Sequence, residues 1–109
     1  MPTDIFEQYR QYGIVSGEEL YMPSQYAIGF VEDCSLRDIA VIGIEGFLIA
    51  DQRIMPLLDE IADFSSIVSP DWQAFTNQCN AAAKKFLEIS SRDQTRFFSF
   101  VLANQDEWT

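Results

Sequence analysis

Histidine is absent from these 109 residues. With it go the commonest general base and the commonest transition-metal ligand, so a Ser-His or Cys-His nucleophile and a His-based zinc or non-haem iron site are excluded. Cysteine is nearly absent as well: Cys34 and Cys79 are the only two. Two thiols in an intracellular chain, one of them on an apolar helical stripe, read as small core hydrophobes rather than as a disulfide. Long apolar runs are missing too. The longest, Ile39 to Ala50, spans 12 residues and is interrupted by Glu45, whereas a membrane span needs about 20. There is no basic flank and apolar centre of a secretory signal near the N-terminus, so a cytoplasmic protein without membrane attachment is expected. Neither a glycine-rich phosphate loop nor a GxGxxG fingerprint occurs, which leaves nucleotide binding without support. No cofactor is expected.

Positive charge is the other scarce commodity. Seven Lys and Arg face 17 Asp and Glu, for a net charge of −10. The imbalance is concentrated in residues 1–83, which hold 13 acids and only Arg10, Arg37 and Arg53, while 84–109 hold 4 of each sign. Such a field repels nucleic acid and anionic membrane and speeds association with a basic partner, most of all at low salt. A protein partner of positive surface is therefore expected, without direct nucleic-acid binding; the oligomeric state stays open.

What is present is enough for one packed domain, 1–109. Apolar residues make up 48% of the chain and 9 are Phe, and a domain of this length buries roughly two-thirds of the surface its unfolded chain exposes. Ile39 to Ala50, rich in β-branched residues and carrying Gly43 and Gly46, reads as a central strand. Before it, Thr3 and the acids that follow mark the start of a helix ending near Tyr12 and Gly13. Ile14 to Met22 is ambiguous, a turn at Ser16–Glu19 followed by a short edge strand or loop. Gln25 to Leu36 reads as a second helix through Tyr26, Phe30 and Cys34, with a strand over Tyr26–Val31 as the alternative. After a turn at Asp51–Arg53, Ile54-Met55 could begin a return strand, and Pro56 suits the first position of a helix with Leu57, Leu58, Ile61 and Phe64 on one side and Asp59, Glu60 and Asp63 on the other. Ser69-Pro70-Asp71 opens a long amphipathic helix carrying Trp72, Phe75, Cys79, Ala83 and Phe86. Thr95 to Ala103 is a last strand with Phe98, Phe100 and Leu102 on one face and Phe97, Ser99, Val101 and Ala103 on the other, both largely apolar. The expected architecture is α+β: a mainly antiparallel sheet of three to four strands with helices packed on it.

Three groups of residues could carry chemistry. Asp59, Glu60 and Asp63, one helical turn apart, have the spacing of a metal site or an acid/base pair, but acids on an outer helical face are more often simply solvated. Glu45 lies inside the apolar strand, where an unpaired buried carboxylate costs several kcal/mol. It must reach solvent or a partner, either as a residue pointing outward between glycines or on a bulge that presents it at the rim beside Asp51. Asp71 with Trp72 could anchor a basic partner, against a core role for the indole.

Ala40-Val41-Ile42-Gly43-Ile44-Glu45-Gly46-Phe47 follows a helix and precedes the segment ending in Asp63-Phe64-Ser65. Together with a long helix through Asn77–Leu87 and a final strand at Phe97–Leu102, it resembles the small bacterial immunity proteins that protect against polymorphic or colicin-like toxins. The resemblance covers roughly residues 24 to 103. It implies a non-catalytic inhibitor that binds a cognate, basic, nuclease-like toxin domain, with Glu45, Asp51, Asp59, Asp63 and Asp71 as contributors by position. The competing readings are a small carboxylate-based enzyme and a DNA-mimic regulator whose acids imitate phosphates.

Overall fold

The computed structural model describes residues 2–108, with side chains from Ile5 onward. Helix α1 (Pro2–Tyr9) runs into a 3-10 turn (Arg10–Tyr12) and stops at Gly13. There follow β1 (Ile14–Ser16), β2 (Glu19–Pro23), α2 (Ser24–Leu36), β3 (Ala40–Ala50), β4 (Arg53–Asp63), α3 (Trp72–Ser90), β5 (Arg96–Ala103) and a 3-10 turn (Gln105–Glu107). The α1 helix already contains Pro2, one residue before Thr3, whose side chain lies outside the described ones.

The strands form one antiparallel sheet in the order β1-β2-β5-β3-β4. The α+β class is as expected, with five strands in place of three or four. The ambiguous segment supplies two of them: Gly17, at φ +62°, turns β1 back into β2. Strand β2 then lies inside the sheet against β5 rather than at its edge. The segment expected to be a helix from Pro56 supplies another.

That helix does not form because the turn before it dictates otherwise. Asp51 and Gln52 both have positive φ, 52° and 65°, the backbone of a two-residue hairpin turn whose twist matches paired strands. Residues from Arg53 onward are thereby delivered into register with β3, and Pro56 is tolerated because β4 is an edge strand that can spare one N–H. The apparent helical spacing of Leu57, Leu58 and Ile61 has a different origin. Gly46 pairs with Leu57 while its neighbour Glu45 pairs with Ile61, so Leu58, Asp59 and Glu60 bulge out of the ladder. Gly46 makes this possible: a Cβ there would lie 2.7 Å from the Cβ of Glu60. Glu60 accepts a hydrogen bond from the Ser90 hydroxyl at 2.5 Å and sits 3.5 Å from the Arg96 guanidinium, tying the bulge to α3 and β5.

Helices α1, α2 and α3 pack on one face of the sheet. Ile5, Ala27, Phe30, Val31, Cys34, Ala83 and Leu87 from the helices meet Leu20, Met22, Val41, Ile44, Phe98 and Phe100 from the strands. Phe30 is fully buried, its ring 4.6 Å from that of Phe100 and 5.1 Å from that of Tyr9. A smaller cluster of Ala40, Trp72, Phe75 and Cys79, with Trp108 stacked on Phe75, closes the end of the sheet where α3 begins. Both cysteines are buried and free, the core role expected for them. Asn80 is the polar pin of this layer: its carbonyl accepts from the Val41 N–H at 2.8 Å, and its amide donates to the Ser35 hydroxyl and the Ile39 carbonyl at 2.8 and 3.0 Å. Among the described residues no helix is long and apolar enough to cross a membrane.

Candidate protein-binding face

Successive side chains of a strand point to opposite sides, so every strand that feeds the helical core also builds a second surface. The register identifies it. Glu45 of β3 stands between Ser99 of β5 and Ile61 of β4, Gly43 between Val101 and Asp63, and Phe47 between Phe97 and Pro56. All of these alternate with Ile44, Phe98 and Phe100, which lie under the helices. On β2, Tyr21 and Glu19 alternate with the core residues Leu20 and Met22, and the Tyr21 ring meets Phe47 edge-on at 4.9 Å. Tyr21, Phe47 and Ser99 are buried, but Val101 and Ile61 are 53% and 50% exposed. At the far end of this side Ala103 and its partner Ala40 pack against Trp72, Phe75 and Cys79 of α3, whereas a hollow stays open over Gly43, Glu45, Ile61 and Val101.

Its electrostatics are one-sided. Glu45 and Asp63 line the hollow on this face with no Lys or Arg among its described lining residues, while Glu19, at the other end, shares a groove with Arg10. Arg10 pairs with Glu7, Lys84 with Glu32, and Arg96 with Glu60 and Asp93. Arg37 caps α2, Arg53 stands at the hairpin tip, Lys85 lies on α3, and Arg92 follows it. Burial raises the pKa of the Tyr21 hydroxyl, and the Glu19 and Glu45 carboxylates raise it further. Asp63 moves the other way: its Oδ1 accepts from the hydroxyl and the N–H of Ser65 at 2.6 and 2.9 Å, which lowers its pKa, and its Oδ2 has no partner among the described residues.

The five acids singled out by sequence are not one cluster. Glu45 is exposed on the open face, as the outward-pointing alternative had it, and Asp63 shares the same hollow. Asp51 sits in the hairpin turn, six residues along β3, about 20 Å away at the strand rise, so the expected neighbourhood of Glu45 and Asp51 is not realised. Asp59 projects from the bulge, and with the helix gone Asp59, Glu60 and Asp63 lose their one-turn spacing. Among the described residues no three His, Cys, Asp or Glu are placed to hold a metal ion. Asp71 is structural: its carboxylate accepts from the Ala74 N–H at 2.8 Å and caps α3, which begins at Trp72 rather than at Pro70. Trp72 is buried and donates its indole N–H to the Asp38 carbonyl at 3.1 Å, so it anchors the core.

Sequence reasoning missed Glu19, Tyr21 and Phe47 as parts of a surface. The signal was in the apolar second face of Thr95 to Ala103, of which α3 takes only the Ala103 end. A hollow of about 340 Å³ opens at Gly43, lined also by Glu45, Ile61, Asp63 and Val101. A second groove, about 410 Å³, lies between α1 and the β1–β2 hairpin, with Leu20 and Phe100 among its apolar lining and Glu7, Glu18, Glu19 and Arg10 among its charged lining. No protein-family model matches this chain, and no curated protein matches it significantly.

Proposed function

We propose that the protein is a cytoplasmic, non-catalytic inhibitor of the immunity type, which docks the open face of its sheet on the basic surface of a cognate, nuclease-like toxin domain. One observation carries this reading: half-exposed apolar side chains, Val101 and Ile61, line one hollow with Glu45 and Asp63 and, among the described residues, with no Lys or Arg. Apolar area of that kind gains free energy when covered, and the unbalanced carboxylates select what covers it. A second copy of the chain is disfavoured, because stacking two such faces would oppose like charges. A cationic domain is favoured, and its approach is steered by the net charge of −10.

The resemblance to immunity proteins supplies the biological form of the partner; the face supplies its chemistry. Titration calorimetry of this protein into a purified basic toxin domain encoded beside it, at low and high salt, tests the reading. One-to-one binding that weakens as salt rises is expected. Failure to bind at either salt overturns it.

A further inference from the structure

We propose that the hollow at Gly43 is a socket for one arginine side chain of the partner, a specificity site within the docking face; this rests on the docking reading above. In an antiparallel sheet facing residues lie about 4.5–5.5 Å apart at Cα. Gly43, with Asp63 on one side and Val101 on the other, therefore leaves one missing side chain in an otherwise filled row. The vacancy is floored by backbone. It is walled by the apolar Ile61 and Val101 and ended by two carboxylates, Glu45 along the strand and Asp63 across it.

Its shape is that of an arginine turned inside out. The methylene stem lies between Ile61 and Val101, and the guanidinium fork offers planar N–H pairs to carboxylates on two sides, which a compact, strongly hydrated ammonium cannot do. The Oδ2 of Asp63 is oriented by the two hydrogen bonds that Ser65 gives to Oδ1. Among the described residues no Lys or Arg lines the hollow or pairs with either acid.

Gly43 also provides the handle for a test, because a Cβ there meets Val101 at 3.4 Å and the Ala62 carbonyl at 3.7 Å, ordinary contacts that the strand accommodates. The probes are N-acetyl-Gly-Arg-Gly-amide and its lysine and citrulline counterparts, added to the full chain and followed by two-dimensional amide NMR. The arginine peptide is expected to shift the amides of Gly43, Glu45, Ala62, Asp63 and Val101. The lysine peptide should bind several-fold more weakly, and the neutral, isosteric citrulline about tenfold more weakly or not at all. Gly43→Val fills the socket and should abolish the shifts. Should that variant lose its dispersed spectrum, Gly43→Ala and Glu45→Gln take its place and each should weaken binding.

Equal shifts with all three peptides, shifts spread over every acidic segment, or indifference to the Gly43 and Glu45 variants would overturn the socket. If the peptide misses the socket while a basic domain still binds through Glu45 and Asp63, the socket falls and the docking face stands. If the peptide binds there but no basic domain does, the socket stands and the inhibitor role falls.

Discussion

The two faces of this sheet are made by alternate residues of the same strands, yet they differ in nearly every physical respect. Under the helices, Phe98 and Phe100 of β5 and Ile44 of β3 are all but inaccessible to water, and Phe30, Met22 and Leu87 fill the space between them and the helices. One residue further along the same strands, Val101 is 53% exposed and Glu45 stands in solvent. The first face contains the contacts that hold the fold. The second buries Tyr21, Phe47 and Ser99 but leaves the strip of Glu45, Ile61 and Val101 exposed, and that strip is free to be shaped for something else. The charges divide the same way. Lys84 and Arg96, from the charge-balanced end of the chain, are spent neutralising Glu32 and Glu60 in the helical layer, so the surplus of carboxylates on the open face is left intact.

Substitutions that discriminate between the faces test this contrast. Phe30→Ala should cost most, about 3–5 kcal/mol, the usual range for emptying a buried phenylalanine site, read as a lowered urea midpoint. Asn80→Ala removes both the acceptor of the Val41 N–H and the donor to the Ile39 carbonyl, leaving buried backbone groups unpaired, for a loss of about 2–3 kcal/mol.

Alkaline pH probes the same layer without a substitution. Burial pushes the Cys34 thiol up to about 12, with the Asp33 carboxylate adding to the effect, and burial pushes Cys79 up to about 11. A thiol whose pKa is raised on folding stabilises the fold fully below its unfolded value near 9, and that stability is lost as pH rises toward the folded value. Urea midpoints should therefore hold up to about pH 8 and fall above pH 9, by roughly 1 kcal/mol per thiol at pH 10. Replacing both cysteines by alanine should flatten the decline. Least of all should happen on the open side: Val101→Ser is expected to move stability by no more than about 0.5 kcal/mol, as for other exposed positions. A cost comparable to that of Phe30→Ala would erase the distinction between the faces.

Much of the helical face was legible in the sequence. The spacing of Tyr26, Phe30 and Cys34, the stripe from Trp72 to Phe86 and the alternation of Phe98, Phe100 and Leu102 each give the right element and the right inward residues, because periodicity reports burial directly. The open face was not legible. The return at Ile54-Met55 is legible, but residues 56–63 satisfy a helical pattern, and what overrides it is the left-handed pair Asp51-Gln52 together with a bulge that depends on Gly46, neither of which leaves a periodic mark. Ser69-Pro70 looked the stronger helix start, but the Asp71 carboxylate takes the Ala74 N–H and the helix begins two residues later. The grouping of Glu45 and Asp63 from two strands is a product of sheet order alone, which local sequence does not encode.

The central claim is that negative charge matters on one face of the sheet and not on the other. Its most direct test is calorimetric titration of the basic domain with two charge-reversed double variants of matched charge. Glu45→Lys with Asp63→Lys on the open face should weaken binding at least about 100-fold, while Glu32→Lys with Glu88→Lys in the helical layer should change it by no more than about threefold. Equal losses from the two variants would contradict the account.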